Sequence, residues 1–563
     1  MEDRLRNELG DIISKSCGIE VERVNKAIMR SKTIKNGDFI VPFSQLTRDE
    51  AVIQTVAESI KEGHSIIKRV EVIKQMLCIY IDVKGIAKEL VIDILTKKGE
   101  YGSSTEGKDK AVVIDFSSPN IAKVFHAGHL RTTIIGNYIQ NIYKKMGYKT
   151  VALNYLGDWG KQFGFLAIGY TEDQKACNGE SERMKEDPIR YLNDIYVRMN
   201  KRAEEDPSLH DKAREFFKRM EDGDEEAMTL WSKFRELSIS KYKEMYASMN
   251  IYFDVYSGES FYGGQAALDN ILSKPYLVPC EDGSKIADLD RLGKTVLVKK
   301  DGSTIYITRD VLSAQDRIKT YSPHKLIYVV ASQQDLHFKQ LFNLMEMDGY
   351  DPALFLHINF GMVKGMSTRK GTAVSLSDII DVAQEAVLEK MEESGKSDQI
   401  IDKRDTSRNL ALSAILIQDF KAKRIKDYEF DMKKNTSFIG DTGPYIQYTL
   451  CRLASISRNS IYPVGSPLEL DFTDLGSDKC YDLLFLLGRY PSVLLESIRT
   501  HEPSIIVTYI LQVCQLVNSI FRVIWVANQP KDIARARLAM YESIRYVLAD
   551  AVSILGMKPL EVM

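Results

Sequence analysis

Ala111-Val-Val-Ile-Asp-Phe-Ser-Ser-Pro-Asn-Ile-Ala-Lys-Val-Phe-His-Ala-Gly-His129 is the stretch on which the fold turns. Residues 111–116 form a short, nearly continuous apolar run, the pattern of a strand covered on both faces in a parallel sheet. Ser117, Ser118, Pro119 and Asn120 break it, since Pro and Asn favour turns. From His129 onward, Ile134, Ile135, Tyr138, Ile139, Ile142, Tyr143 and Met146 recur at helical spacing, and Gly147 suits a helix C-terminus. Residues 149–153 read as a second strand. This is a strand–helix–strand unit whose first loop ends at a helix N-terminus, where backbone N–H groups and the helix dipole favour anions. Two of the chain's 8 histidines, His126 and His129, flank Gly128 there. Gly128 lets a ligand approach the backbone closely, and each imidazole can donate to a phosphate oxygen. The competing reading has one histidine capping the helix and the other packed on the sheet.

Working outward, 563 residues suggest about three to four domain-sized units. Apolar content of 44% and charged content of 27% are those of a soluble globular protein. With a net charge of −2, gripping a large polyanion requires local basic patches. The 7 cysteines are scattered without a C-x-x-C pair, which argues against a zinc ribbon or a disulfide framework and for a reducing, cytoplasmic setting. The N-terminus carries acids and lacks the apolar core of a signal peptide. Residues 505–527 are nearly long and apolar enough to span a membrane. Gln515, Asn518 and Arg522 form a polar stripe there, so a bundle helix is expected.

The expected architecture is multidomain α/β. Residues 1–109 form a small N-terminal α+β module, with helices over 3–17 and 48–63 and strands over 70–73 and 77–83. It ends in a Gly/Ser-containing linker at 97–108. Residues 110–390 form a Rossmann-type parallel-sheet domain with further strands over 325–330 and 354–360 and a charged helical insertion over 171–243. Residues 391–563 form an all-α bundle.

A second loop, Gly361-Met-Val-Lys-Gly-Met-Ser-Thr-Arg-Lys-Gly371, follows a predicted strand. Its hydroxyls, Ser367 and Thr368, and its cations, Lys364, Arg369 and Lys370, suit a triphosphate whose charge shifts during reaction. Alone, a solvated basic turn is an equal reading; the histidine motif upstream favours the nucleotide. With both loops in view, the chain resembles the class I aminoacyl-tRNA synthetases, whose two ATP motifs read HIGH and KMSK in one-letter code. Within that class it resembles the arginyl-tRNA synthetases. The stretches that carry the resemblance are Phe116-Ser-Ser-Pro-Asn-Ile-Ala-Lys123, His126-Ala-Gly-His-Leu-Arg131, Asn154-Tyr-Leu-Gly-Asp-Trp-Gly-Lys-Gln-Phe-Gly164, Asp254-Val-Tyr-Ser-Gly-Glu-Ser260, Tyr306-Ile-Thr-Arg-Asp310, Ala331-Ser-Gln-Gln-Asp-Leu-His337, Gly365-Met-Ser-Thr-Arg-Lys-Gly371 and Gly440-Asp-Thr-Gly-Pro-Tyr-Ile-Gln-Tyr448.

The resemblance implies ATP with Mg²⁺ carried by it, L-arginine as substrate, and transfer through arginyl-adenylate to the 3′-terminal adenosine of tRNA(Arg). It implies an ATP site at His126, Gly128, His129, Met366 and Ser367. Gly365 stands where the class motif begins with Lys, so Lys123, Arg369 or Lys370 supplies that cation, in no order the sequence ranks. Ser118, Pro119, Asn120, His129 and Gln334 would hold the α-amino and carboxylate ends of arginine. Glu259 and Asp310 would hold its guanidinium, with Tyr306 lining the pocket; fixed parallel N–H donors call for planar carboxylates. Asp441, Pro444, Tyr445, Gln447, Tyr448 and Arg452 would meet tRNA. The bundle would take the anticodon and the N-terminal module the tRNA elbow, although residues 79–98 carry no elbow motif. The basic run 421–426 fits a phosphate-contacting face and a solvated surface equally well. The tail ends Pro559-Leu-Glu-Val-Met563, with Val562 where the family usually has Arg. No protein-bound metal or organic cofactor, no DNA, no membrane and a monomer are expected. The alternatives are a catalytically inactive tRNA-binding paralogue and an adenylyl transferase without an RNA substrate.

Overall fold

The computed structural model describes residues 2–30, 37–47, 49–63, 66–125, 127–177, 179–300, 302–364, 375–393, 400, 402–429 and 440–563. Its centre is a five-stranded sheet of β1 (Ala111–Phe116), β2 (Lys149–Leu156), β3 (Val255–Gly258), β4 (Lys325–Ala331) and β5 (Phe355–Phe360). All neighbours run parallel, in the order β3-β2-β1-β4-β5. The order reverses between β1 and β4, and in such doubly wound sheets that switch opens a crevice beyond the carboxyl ends of the strands. Val112, Val113 and Ile114 are fully buried, as the apolar run requires. Asp115 is buried beside them, tolerated because Arg317 pairs with it at 2.8 Å.

A short 3₁₀ turn, Ala127–His129, leads into helix Leu130–Lys145. This helix lies tight on β1: a Cβ on Gly136 would stand 2.2 Å from the Phe116 ring. Between β2 and β3 the described residues form five helices, Gln162–Ala176, Glu182–Glu186, Pro188–Glu205, Ser208–Glu221 and Glu225–Ser248. Between β3 and β4 lies a feature the sequence pattern did not announce. It is a three-stranded antiparallel sheet of Leu277–Pro279, Lys285–Asp288 and Lys294–Val298, whose strands are too short to show a period.

The N-terminal region pairs helices Glu2–Cys17, Val21–Ala27 and Glu50–Gly63 with a four-stranded antiparallel sheet and has its own core around Leu9, Ile13, Val56 and Leu77. The next helix, Val83–Lys97, instead packs Ala87, Leu90, Val91 and Ile94 into the larger core, against helices Asp478–Gly488 and Lys531–Ile554. The C-terminal region is helical. Helix Pro503–Ile520 is long and apolar enough to cross a membrane, but Ile506, Ile510, Val513, Val517 and Ile520 fill the bundle core. Asn518 on the expected polar stripe donates to Tyr445 Oη at 3.0 Å and Thr449 Oγ1 at 3.1 Å. The tail is bound at Gln447, whose Nε2 donates to the Lys558 carbonyl (2.9 Å) and whose Oε1 accepts from Leu560 N (3.0 Å). Val562 itself is exposed, while Arg458 holds the neighbouring Glu561 carbonyl at 2.9 Å.

Candidate active site

The chain leaves β1 by a sharp exit: Ser117, Ser118 and Ala122 take φ of +69°, +45° and +57°, a region costly for residues with a Cβ. Surrounding bonds hold it. Ser117 Oγ lies 2.7 Å from both Thr133 Oγ1 and Tyr246 Oη. Ser118 Oγ donates to Asp115 Oδ1 (2.7 Å) and accepts from Tyr155 N (3.1 Å), so its hydroxyl is engaged by the fold. Pro119 is buried, and its carbonyl accepts from Gly157 N at 3.1 Å. Tyr242 Oη reaches the carbonyls of Asn120 (2.7 Å) and Lys123 (2.8 Å). Asn120 is the member of this loop that is exposed.

His129 sits at the start of helix Leu130–Lys145 with its ring 4.9 Å from Phe125, and Gly128 beside it is exposed. His126 lies outside the described residues. Lys123 Nζ stands 5.0 Å over the Tyr196 ring of the helical insertion. Gln334 closes a short 3₁₀ turn after β4 and is exposed. The loop after β1 and the turn after β4 therefore bracket the switch point.

Of the second loop, the stem is described. Val363 and Lys364 pair with Tyr428 and Glu429, and Asp427 accepts from Met362 N at 2.7 Å. Beneath the stem, Arg131 donates to the carbonyls of Gly361 (2.7 Å) and Lys426 (3.0 Å) and pairs with Asp419 at 2.9 Å. Arg131 and Asp419 are almost wholly buried, at 2% and 1% side-chain exposure. Arg424 bonds Asn359 Oδ1 at 2.9 Å and pairs with Glu502 at 3.7 Å. Within the basic run, Arg424 is thus an internal strut, while Lys421, Lys423 and Lys426 are exposed. Gly365, Met366, Ser367, Arg369 and Lys370 lie outside the described residues.

The two acids expected in the arginine pocket come from different elements. Glu259 begins the 3₁₀ turn Glu259–Tyr262 after β3, and Asp310 sits in the first turns of helix Tyr306–Tyr321, which leads into β4. Arg309 pairs with Glu259 at 3.1 Å, and His337 Nε2 lies 2.7 Å from Asp310 Oδ2. Burial pushes the Glu259 carboxyl up to about 7; Arg309 opposes the shift, and the charges of Asp310 and Asp158 add to it. Tyr306 is 68% exposed at the rim, with the Arg309 guanidinium 5.3 Å from its ring. Deeper, Arg317 stands 5.0 Å from the Tyr155 ring and 5.5 Å from the Tyr328 ring. Among the described residues, no three His, Cys, Asp or Glu side chains converge as a metal site.

In the bundle, Thr442 caps helix Gly443–Arg458 behind an exposed Asp441. Tyr448 is exposed, with the Arg452 guanidinium 5.9 Å from its ring and 4.2 Å from that of Phe521. Tyr445 is half-buried through its bond to Asn518. Gln447 and Pro444, expected at the tRNA face, are buried instead; the Gln447 amide is taken up by Ser413 and the C-terminal tail. Helical spacing explains Gln447: Tyr445, Tyr448 and Arg452 share one face, and Gln447 turns away from it; Pro444 is buried in the first turn of the helix.

Residues 90–432 match the family model of the class I arginyl tRNA synthetase catalytic domain, and residues 446–563 match the DALR anticodon binding domain. The cytoplasmic arginine–tRNA ligase of Saccharomyces cerevisiae is 42% identical over 99% of this chain and 94% of its own length. This chain belongs to the class I arginyl-tRNA synthetases. The arginine–tRNA ligase of Encephalitozoon cuniculi is 38% identical with both chains covered in full (100% and 100%). In fold, the chain is similar to the arginyl-tRNA synthetase of Plasmodium falciparum. The TM-score is 0.81 at 22% identity, covering 100% of this chain and 99% of that one. The enzyme is thus an aminoacyl-tRNA ligase. Sequence reasoning passed over Arg309 and His337 as individual residues. Both fall inside stretches that carry the family resemblance, so a signal existed. Arg131 ends another such stretch, but its pairing with Asp419, like that of Asp115 with Arg317, joins distant parts of the chain and had no signal.

Proposed function

We propose that this synthetase activates L-arginine with ATP and transfers it to tRNA(Arg), holding the guanidinium between Glu259 and Asp310. The observation that carries this is that two partly buried carboxylates, close enough for the charge of Asp310 to act on Glu259, lie beside the carboxyl ends of a β3-β2-β1-β4-β5 sheet. A guanidinium presents several fixed donors to such a pair, whereas an ammonium is a single point charge. Asn120 and Gln334, on either side of the switch point, hold the α-amino and carboxylate ends, with Ser118 and Pro119 shaping the loop.

No protein nucleophile is needed. A carboxylate oxygen of arginine attacks the α-phosphorus of ATP, and the bond to the bridging oxygen breaks with its electrons leaving on pyrophosphate. A hydroxyl of the terminal adenosine then attacks the arginyl carbonyl, AMP departs, and the hydroxyl proton is lost to a phosphate oxygen or solvent. The protein's work is positioning and charge stabilisation. His129, with His126, donates to the phosphate oxygens at the helix start; losing one such donor typically costs roughly 3–4 kcal/mol in the transition state. Lys123, Arg369 or Lys370 supplies the cation, and Mg²⁺ arrives with ATP. Asp441, Tyr448 and Arg452 face the tRNA, aromatic and cationic groups being suited to splayed bases. The module at 1–109 takes the elbow, the domain at 110–390 the chemistry, and the bundle at 391–563 the anticodon. The chain acts as a cytoplasmic monomer; fractionation and light scattering test those two points.

The pocket carries a pH signature. The guanidinium binds ionised Glu259, so arginine binding lowers that carboxyl's pKa. Affinity is then full above the free-enzyme value and lost as pH falls through it. The acidic limb of kcat/KM for arginine is expected near pH 7, with a slope approaching tenfold per pH unit. A flat profile from about pH 6 to 8 would remove Glu259 from the pocket.

The assignment as a whole is tested by arginine-dependent ATP–pyrophosphate exchange, run with and without tRNA. Exchange is expected, and its restriction to reactions containing tRNA would match the family's behaviour. No exchange from folded protein under either condition would refute catalysis and favour the inactive paralogue.

A further inference from the structure

We infer that Arg309 is a positioning residue for arginine recognition: its guanidinium takes one oxygen of Glu259 and leaves the other for the substrate. The inference rests on the reading that Glu259 and Asp310 hold the substrate guanidinium, and deepens it.

Tyr306, Arg309 and Asp310 stand at i, i+3 and i+4 of helix Tyr306–Tyr321 and so share one face. One turn of helix thereby presents an aromatic ring, a cation and an anion to the same pocket. Arg309 Nη2 is 3.1 Å from Glu259 Oε2, with side-chain exposures of 12% and 14%. The contact is made at Oε2 of the carboxylate. The surrounding charges are otherwise balanced. Asp158, near Glu259, is paired with Arg235 at 2.8 Å and bonded by Ser260 at 2.9 Å. Asp115, behind the pocket, is paired with Arg317 at 2.8 Å. His337 faces Asp310 at 2.7 Å, and Tyr155 lies close enough for both pocket acids to act on it.

Glu259, Asp310 and Arg309 therefore leave one negative charge uncompensated, which a single guanidinium cancels. Without Arg309 the pocket would hold two, and a buried carboxylate would lose the cation that opposes its desolvation. Arg309 opposes the desolvation that favours protonated Glu259 and orients its carboxylate before arginine arrives, so that less of the binding energy is spent on ordering it.

The test titrates the full-length enzyme with L-arginine by calorimetry and measures tRNA charging across pH, in Arg309→Gln, Arg309→Lys, Glu259→Gln and the double variant Arg309→Gln/Glu259→Gln. Arg309→Gln is expected to weaken arginine roughly tenfold or more. It should also move the acidic limb of kcat/KM to higher pH and leave the KM for ATP unchanged. Arg309→Lys should recover much of the loss, and adding Arg309→Gln to Glu259→Gln should cost little more. Unchanged affinity and pH limb in Arg309→Gln would overturn the inference. So would tighter binding, which would make Arg309 a competitor for the pocket, or a full additional loss in the double variant. Should Arg309→Gln fail to fold, Arg309→Met carries the same expectations. If Glu259→Gln binds arginine like the wild type, the pocket reading itself falls; if it does not and Arg309→Gln does, this inference alone falls.

Discussion

Asp310→Ala is expected to remove arginine use while leaving ATP and tRNA binding nearly intact. The substitution deletes one of the two carboxylates in the pocket and strips His337 of its partner at 2.7 Å. Truncating one member of a desolvated, hydrogen-bonded charge pair costs about 2–5 kcal/mol, so kcat/KM for arginine should fall by a factor on the order of 10²–10³. The proposed nucleotide groups at Gly128 and His129 and the proposed tRNA face at Tyr448 and Arg452 lie on other elements, so their affinities should hold. Calorimetric titration with arginine and filter binding of tRNA separate the effects. Arginine affinity within a few-fold of wild type would show that Asp310 is not a guanidinium partner.

Asp419→Ala is expected to have the largest effect on stability. Arg131 and Asp419 form an ion pair at 2.9 Å with both side chains almost wholly excluded from water. Removing one partner strands the other, at a cost of about 3–5 kcal/mol. Arg131 also holds the Gly361 and Lys426 carbonyls at the base of the second loop. The loss should therefore appear twice, as a melting temperature lower by several degrees and as a raised KM for ATP. Replacing both partners, with Arg131→Met and Asp419→Leu together, should cost less stability than Asp419→Ala alone, because no buried charge is left unpaired. A wild-type melting curve for Asp419→Ala would show that Arg131 does not depend on this partner.

How far the sequence could be read depended on whether a feature is local. The strand at 111–116, the helix start at His129 and the bundle helix over Pro503–Ile520 were legible because burial leaves a period in contiguous residues. Glu259 and Asp310 came forward as pocket candidates only through the family stretches around them, since among 78 acidic residues nothing in their spacing marks a pocket. The antiparallel sheet over Leu277–Val298 was missed because strands of three to five residues are shorter than a reliable period.

By itself, then, the sequence determined the sheet-and-bundle layout, the helix start after the first strand and the family, because periodicity and motif spacing record which residues face a core and which stretches the family shares. The tertiary structure decided how individual side chains are spent. It turned Gln447 inward onto the C-terminal tail, drew Arg424 out of the basic run toward Asn359 and Glu502, and set Arg309 against Glu259. It also joined Arg131 to Asp419 from distant parts of the chain. The physical reason is common to all four: the environment of a charged or amide group is set by chain segments far away in sequence, and burial with a partner leaves no trace in the residues on either side.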